Sequence, residues 1–188
     1  MSVEVKGKRI NVKEHSLYLG NMHIEAISQI KGLNKLTDLK SLILFNNKIN
    51  EIKGLESLSA LEKLNLYGNN ITEIKRLDHL TELKTLYLSE NAITEIEGLN
   101  KLRNLENLSF EDNQITQIKG LSKLSKLRNL NLFGNLVGTV KGLENLTMLQ
   151  NLRIGNNPIP KEILNECGGL NEHGYALFPQ KFIEYCQQ

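Results

Sequence analysis

The sequence predicts a right-handed α/β solenoid, a coil of short parallel strands closed by compact return segments. Three observations predict it. Leucine recurs at Leu39, Leu61, Leu83, Leu105, Leu127 and Leu149, a spacing of 22 each time. Asparagine keeps the same interval at Asn47, Asn69, Asn91, Asn113, Asn135 and Asn157. Between these markers, seven columns never take a polar residue over five aligned copies. In the first copy they are Leu39, Leu42, Leu44, Ile49, Ile52, Leu55 and Leu58; Phe110, Val137 and Val140 are the only occupants other than Leu or Ile. A fixed period of this length marks a stacked repeat array.

Two periodicities coexist inside each unit. Leu42 and Leu44 alternate with Ser41, Ile43 and Phe45, the period of a short strand. From Ile49 the apolar residues fall every third position, through Ile52, Leu55 and Leu58 to Leu61. That spacing suits 3₁₀-like or extended turns, because an α-helical stripe needs steps of both three and four. A single unit leaves both flanks open, and only stacking on its neighbours covers them. The strands then form a parallel concave sheet and the returns a convex back. The asparagine column marks the corner after each strand, where backbone groups would be buried without partners. An asparagine side chain offers donors and an acceptor on a short stem; aspartate lacks the donor and glutamine is longer. The six asparagines are therefore expected to be a structural ladder.

The pattern L-x-x-L-x-L-x-x-N-x-I, running from Leu39 to Ile159 in six copies, resembles the leucine-rich-repeat signature. The 22-residue length and the I-x-x-I-x-G-L continuation are similar to the class found in the regulatory subunit of type-1 protein phosphatase and in internalin repeat blocks. The resemblance implies recognition of a protein on the concave sheet. The tail HGYALFPQKFIEYC is similar to endings of repeat proteins that accompany small Ras-like GTPases, although no phosphate-binding loop is present.

One repeat domain is expected over residues 1–188. Residues 1–15 form an N-terminal cap, in which Val3 and Val5, then Ile10 and Val12, alternate around a Lys6-Gly7-Lys8 turn, the pattern of a hairpin. Residues 16–38 form an irregular first repeat, with Leu17 and Leu19 at strand positions and Ile24, Ile27, Ile30 and Leu33 on the return. Residues 39–159 hold the six regular repeats, and residues 160–188 a helical C-terminal cap. There Pro160 is expected to open a helix through Cys167, ended by Gly168-Gly169, and Pro179 a second helix with Phe182, Ile183 and Cys186 on one side.

The formal charge of +2 supplies no field that would draw the chain to nucleic acid or an acidic membrane. The start MSVEVKGKRINVKEH has no apolar leader, and no stretch approaches the roughly 18 apolar residues of a membrane span. With only Cys167 and Cys186, a reducing cytoplasm is the natural reading, their pairing being left open. The four histidines share no metal-ligand spacing, and no motif of nucleophilic or zinc-dependent hydrolysis occurs. No catalytic residue, metal or cofactor is expected, so the chain is not expected to be an enzyme. Gly32, Gly54, Gly98, Gly120 and Gly142 share a turn column with Arg76, whose presence suggests that positive φ is optional there. The Lys31, Lys53, Lys75, Lys119 and Lys141 column is expected to be neutralised by Glu51, Glu73 and Glu95 on a solvated convex face.

Residues flanking the core leucines of each strand face the inner curve. They place Tyr18, Ile43, Phe45, Tyr67 and Tyr87 in one apolar patch, with strands about 4.8 Å apart. Glu90, Glu111 and Asp112 converge beside it, with Phe133 and Arg153 beyond. An aromatic anchor next to carboxylates suits a protein partner offering an apolar side chain and a Lys or Arg. The expected function is a protein-interaction scaffold. Two further readings are a regulatory subunit of a phosphatase or small GTPase, and carbohydrate or small-ligand binding.

Overall fold

The computed structural model describes all residues, 1–188. It begins with an antiparallel hairpin, β1 (Ser2–Val5) and β2 (Lys8–Asn11), in which Val3 faces Ile10 and Val5 faces Lys8. Lys6 and Gly7 both have positive φ, as the two central residues of a tight hairpin turn require. Val3 and Val5 are buried, and Glu4 exchanges backbone hydrogen bonds with Lys31. The hairpin thus seals the open flank of the first repeat.

Seven three-residue strands follow: β3 (Ser16–Tyr18), β4 (Ser41–Ile43), β5 (Lys63–Asn65), β6 (Thr85–Tyr87), β7 (Asn107–Ser109), β8 (Asn129–Asn131) and β9 (Asn151–Arg153). They form one parallel sheet in chain order. Register is constant along it, with Leu17, Leu42, Leu64, Leu86, Leu108, Leu130 and Leu152 in line. Tyr18 lies opposite Ile43, so the irregular first repeat keeps the common register. Every strand buries its central leucine and turns the residues on either side toward the inner curve, because adjacent side chains alternate.

The return segments explain the every-third pattern. Leu58 N–H donates to the Leu55 carbonyl and Leu61 N–H to that of Leu58, and the equivalent pairs recur through Leu146 and Leu149. Three residues per turn put every third side chain on one side. Only the first return contains regular 3₁₀ turns, Ile27–Gln29 and Leu33–Lys35. All these apolar columns join a single core of 51 residues.

The asparagine ladder closes the corners. Asn113 accepts the Ile93 N–H at 3.0 Å and donates to the Leu88, Phe110 and Glu111 carbonyls at 2.9, 3.0 and 3.3 Å. Asn69, Asn91, Asn135 and Asn157 repeat this set one unit at a time, each bonding its own repeat and the preceding one. Asn47 accepts two N–H groups, of Met22 and Ile24, and so fastens the longer first repeat.

One expectation about the turns is corrected. Arg76 has φ +64, in the same left-handed region as the glycines of its column. The left-handed turn is kept in this repeat without glycine, where a Cβ is accommodated, whereas a Cβ at Gly142 would run into the Ile118 carbonyl oxygen. Arg76 tolerates the strain and pairs with Glu51 at 3.5 Å. On the same convex face Lys75 meets Glu73 at 2.6 Å and Lys119 meets Glu95 at 2.8 Å.

The C-terminal cap contains helices α1 (Lys161–Glu166) and α2 (Pro179–Cys186). Pro160 stands just outside α1 as its N-cap with extended ψ, whereas Pro179 is the first residue of α2. Cys167, Phe182 and Ile183 enter the core, and Gln180 Nε2 donates to the Leu149 carbonyl at 2.7 Å. Both thiols are free; burial pushes that of Cys167 up to about 11, and the Cys186 thiol donates to the Val140 carbonyl. The connection between the helices does more than link them. Ile154 N–H donates to the Gly174 carbonyl and Ala176 N–H to that of Leu152, so the loop covers the exposed edge of β9.

Two stability measurements test these assignments by urea denaturation. Replacing Asn113 with Ala leaves the Ile93 N–H without a partner and takes one of two donors from each of the Leu88, Phe110 and Glu111 carbonyls, and is expected to cost about 1–3 kcal/mol. Replacing Arg76 with Gly relieves the left-handed strain and is expected to stabilise by up to about 1 kcal/mol after the glycine entropy cost.

Candidate functional site

The inner curve carries three columns of side chains and a fourth at the corner after each strand. Ser41, Lys63, Thr85, Asn107, Asn129 and Asn151 form the first, on the N-terminal side of the central leucines. Tyr18, Ile43, Asn65, Tyr87, Ser109, Asn131 and Arg153 form the second, and Phe45, Tyr67, Ser89, Glu111, Phe133 and Gly155 the third. The first column was absent from the sequence reading, although alternation on the N-terminal side of Leu42, Leu64 and their equivalents marks it as clearly as the other two.

The aromatic residues occupy the N-terminal half. Tyr18 is 61% exposed and meets Phe45 edge-on, with ring centroids 5.4 Å apart. Phe45 also lies over Gly20, where an added Cβ would sit 2.6 Å from the ring. Ile43, Tyr67 and Tyr87 are half-buried, and Lys63 Nζ stands 5.6 Å from the centre of the Tyr87 ring. Tyr18 and Phe45 make the only ring–ring contact. Asn65 separates Ile43 from Tyr87 in the second column, its Oδ1 accepting the Tyr67 N–H.

The acidic residues follow at the corner. Asn46, Gly68, Glu90, Asp112, Gly134 and Asn156 all have positive φ, between 50° and 68°. Glycine and asparagine adopt this conformation readily and glutamate does not. Glu90 therefore occupies a backbone position ill-suited to it, whereas Asp112, like asparagine, tolerates the conformation. The Tyr67 hydroxyl lies against Glu90; that contact first, then burial and the Glu90, Glu111 and Asp112 charges, push its pKa up. Burial, then the Glu111 and Glu90 charges, hold the Asp112 carboxyl above its ordinary value, with Arg153 acting the other way. Neither Glu90 nor Asp112 has an ion-pair partner.

Glu111 has one. Arg153 Nη1 reaches back two repeats to its carboxylate at 2.5 Å, and Asn131 Nδ2 donates to the same group at 2.9 Å. The guanidinium also stacks 4.0 Å from the Phe133 ring centre and 5.5 Å from that of Tyr175, while Nε donates to the His173 carbonyl. Phe133 packs against Gly155 and Gly174. Phe133, Glu111 and Arg153 are thus knit together with the cap loop. Tyr175 joins them, and sequence reading had no means to place it there.

No group of three or more His, Cys, Asp or Glu side chains is arranged to hold a metal ion, and no helix is long and apolar enough to cross a membrane. His15 lies beside Asp38, and His79 beside the Leu55 carbonyl on the convex side.

Comparison with known proteins agrees with this architecture. The family model described as Leucine Rich repeats (2 copies) matches residues 37–81 and 81–123. No curated protein matches the chain. Among solved structures, an internalin (InlF) of Listeria monocytogenes is 33% identical with a TM-score of 0.70, over 78% of this chain and 42% of that one. A leucine-rich-repeat protein of Leptospira interrogans is 29% identical with a TM-score of 0.66, over 82% of this chain and 38% of that one. Internalin C2 of L. monocytogenes is 28% identical with a TM-score of 0.59, over 78% and 73%. The chain therefore spans about two fifths of the first two proteins and most of the third. With the stacked strands, the asparagine corners and the repeat signature all in place, the chain belongs to the leucine-rich-repeat proteins.

Proposed function

We propose that the chain is a non-enzymatic protein-interaction scaffold that holds its partner against the N-terminal and central part of the concave sheet. Tyr18, Ile43, Phe45, Tyr67 and Tyr87 supply the apolar anchor, and Glu90 and Asp112 the charge. The reading is carried by the two carboxylates at left-handed corners, which lack a counter-ion beside a half-exposed aromatic patch. Carboxylates that lack a counter-ion and stand among other negative charges are stabilised when a cation arrives. The partner is a folded protein or extended segment presenting an apolar side chain next to a Lys or Arg. A standard interface of about 1,600 Å² in total takes about 800 Å² from each partner, which here falls on the N-terminal and central strands. The free thiols suit a reducing compartment, so the proposal includes a cytoplasmic setting.

The unpaired carboxylate leaves a signature without any partner. A carboxyl whose pKa is raised on folding contributes stability at low pH that is lost as pH rises through the folded value. Asp112→Asn is therefore expected to raise the melting temperature at pH 7. The electrostatic part of that gain should disappear below the ordinary aspartate value of about 3.9, leaving only the pH-independent gain of placing Asn at a left-handed corner. A difference between the two proteins that does not change from pH 3 to pH 7 would remove the electrostatic argument.

Partner binding is tested by affinity capture with the wild type beside a Phe45→Ala/Tyr67→Ala variant and a Glu90→Lys/Asp112→Lys variant. The expected result is a specific protein lost from both captures, with near-native melting of the aromatic variant and wild-type binding that weakens as salt is added. Equal capture by all three proteins would defeat the site.

A further inference from the structure

The C-terminal half of the inner curve is chemically unlike the aromatic half. Between β6 and the cap it forms a groove of about 480 Å³, within the range of small-ligand sites. Its floor is a rail of amides. Asn151 Nδ2 donates to Asn129 Oδ1, and Asn129 Nδ2 to Asn107 Oδ1, both at 2.6 Å; Asn107 Nδ2 ends the rail on Thr85 Oγ1 at 3.4 Å. Each amide has two N–H donors and two acceptor lone pairs. The rail uses one donor on every rung and one acceptor on Asn107 and Asn129, so each rung keeps an N–H and a lone pair for an occupant. The groove's charges are already settled, because Arg153 is bound to Glu111. Tyr87 on β6 and Tyr175, which pairs beside β9 as a further strand would, line its two ends, roughly four strand spacings or about 19 Å apart along the sheet.

We propose that this groove is a saccharide-binding site for a short neutral oligosaccharide, with hydroxyls on the amide rail and ring faces against Tyr87 and Tyr175. A hydroxyl both donates and accepts, matching what every rung leaves free. Neutrality follows from the internal pairing of Glu111 and Arg153. Spacing separates a saccharide from a peptide. An extended peptide presents equivalent groups on one side about every 6.6–6.8 Å, out of step with rungs about 4.8 Å apart. A polyproline II segment repeats about every 9.3 Å, meets alternate rungs and, where proline-rich, offers acceptors without donors. Closely spaced hydroxyls have no such mismatch. The site is separate from the proposed protein-binding patch and shares only Tyr87 with it.

The test uses the full chain on an array of neutral di- to tetrasaccharides built on glucose, galactose, mannose and N-acetylglucosamine. Calorimetry of the strongest binder follows, with NMR of the asparagine side-chain amides. The expected result is saturable micromolar to low-millimolar binding that shifts the Asn107, Asn129 and Asn151 amide signals. Asn129→Leu and Tyr175→Ala should each weaken it by about tenfold or more, and Phe45→Ala/Tyr67→Ala should leave it unchanged. Tyr175 is 41% exposed on the cap loop, outside the rail, so its variant remains informative if Asn129→Leu unfolds. Three results would each overturn the proposal: no binding by any saccharide of the panel at millimolar concentration, binding that Tyr175→Ala does not weaken, or occupation of the groove by a proline-rich peptide in place of sugar.

Discussion

Where each strand ends and its return begins, one N–H and three carbonyls leave water together, and a single asparagine side chain receives them all. That exchange joins neighbouring repeats as well as closing one corner, since Asn69 donates to Leu44 of the repeat before it and accepts the N–H of Ile49 there. The leucine and isoleucine columns supply the burial, but burial alone is indifferent to sliding one coil past another. The asparagine bonds are directional and fix the offset. With the offset fixed, each strand lies in register with the next, and every inner column becomes a straight file of side chains from Ser16 to Arg153.

That register explains why much of the molecule was legible in the sequence. A constraint sampled six times at a fixed interval shows itself as a column, and the strand leucines, the every-third return residues and the corner asparagines all belong to such columns. Features arising between distant segments left no column. An arginine among glycines suggests a turn free to vary, yet Arg76 keeps the left-handed φ of its column, which residue type alone does not report. The cap loop leaves no periodic trace either, so Tyr175 and its contact with Arg153 were not foreseeable. The amide rail was readable, because Asn107, Asn129 and Asn151 keep the 22-residue interval. It lies on the N-terminal flank of the strand leucines, apart from the aromatic and acidic columns on the other flank.

The candidate site was legible in its membership more than in its physics. Sequence spacing brings Glu90, Glu111 and Asp112 together, and it brings Phe133 and Arg153 to the same face. It does not reveal that Arg153 reaches two repeats back to neutralise Glu111 alone. Such a contact depends on side-chain length and on the concavity of the sheet, and neither is a property of a column. The left-handed backbone at Glu90 and Asp112 is likewise hidden until the corner column is read for conformation, where glycine and asparagine in the other repeats are the clue.

The Arg153–Glu111 pair divides the inner curve. On its C-terminal side the polar groups are matched to one another: amide to amide, guanidinium to carboxylate, and Arg153 to the faces of Phe133 and Tyr175. An ion entering there would have to break an existing pair, so a neutral occupant with hydroxyl-like groups is favoured. On the N-terminal side, Glu90 and Asp112 are without a counter-ion, and the rings beside them are only partly covered. The Tyr67 hydroxyl against Glu90 and the charge of Arg153 offset that arrangement only in part. A cationic, partly apolar partner relieves both deficits at once, and it does so beyond the groove that the amides line. One uniform scaffold thus presents two surfaces of opposite chemical demand, set by where a single arginine side chain is anchored.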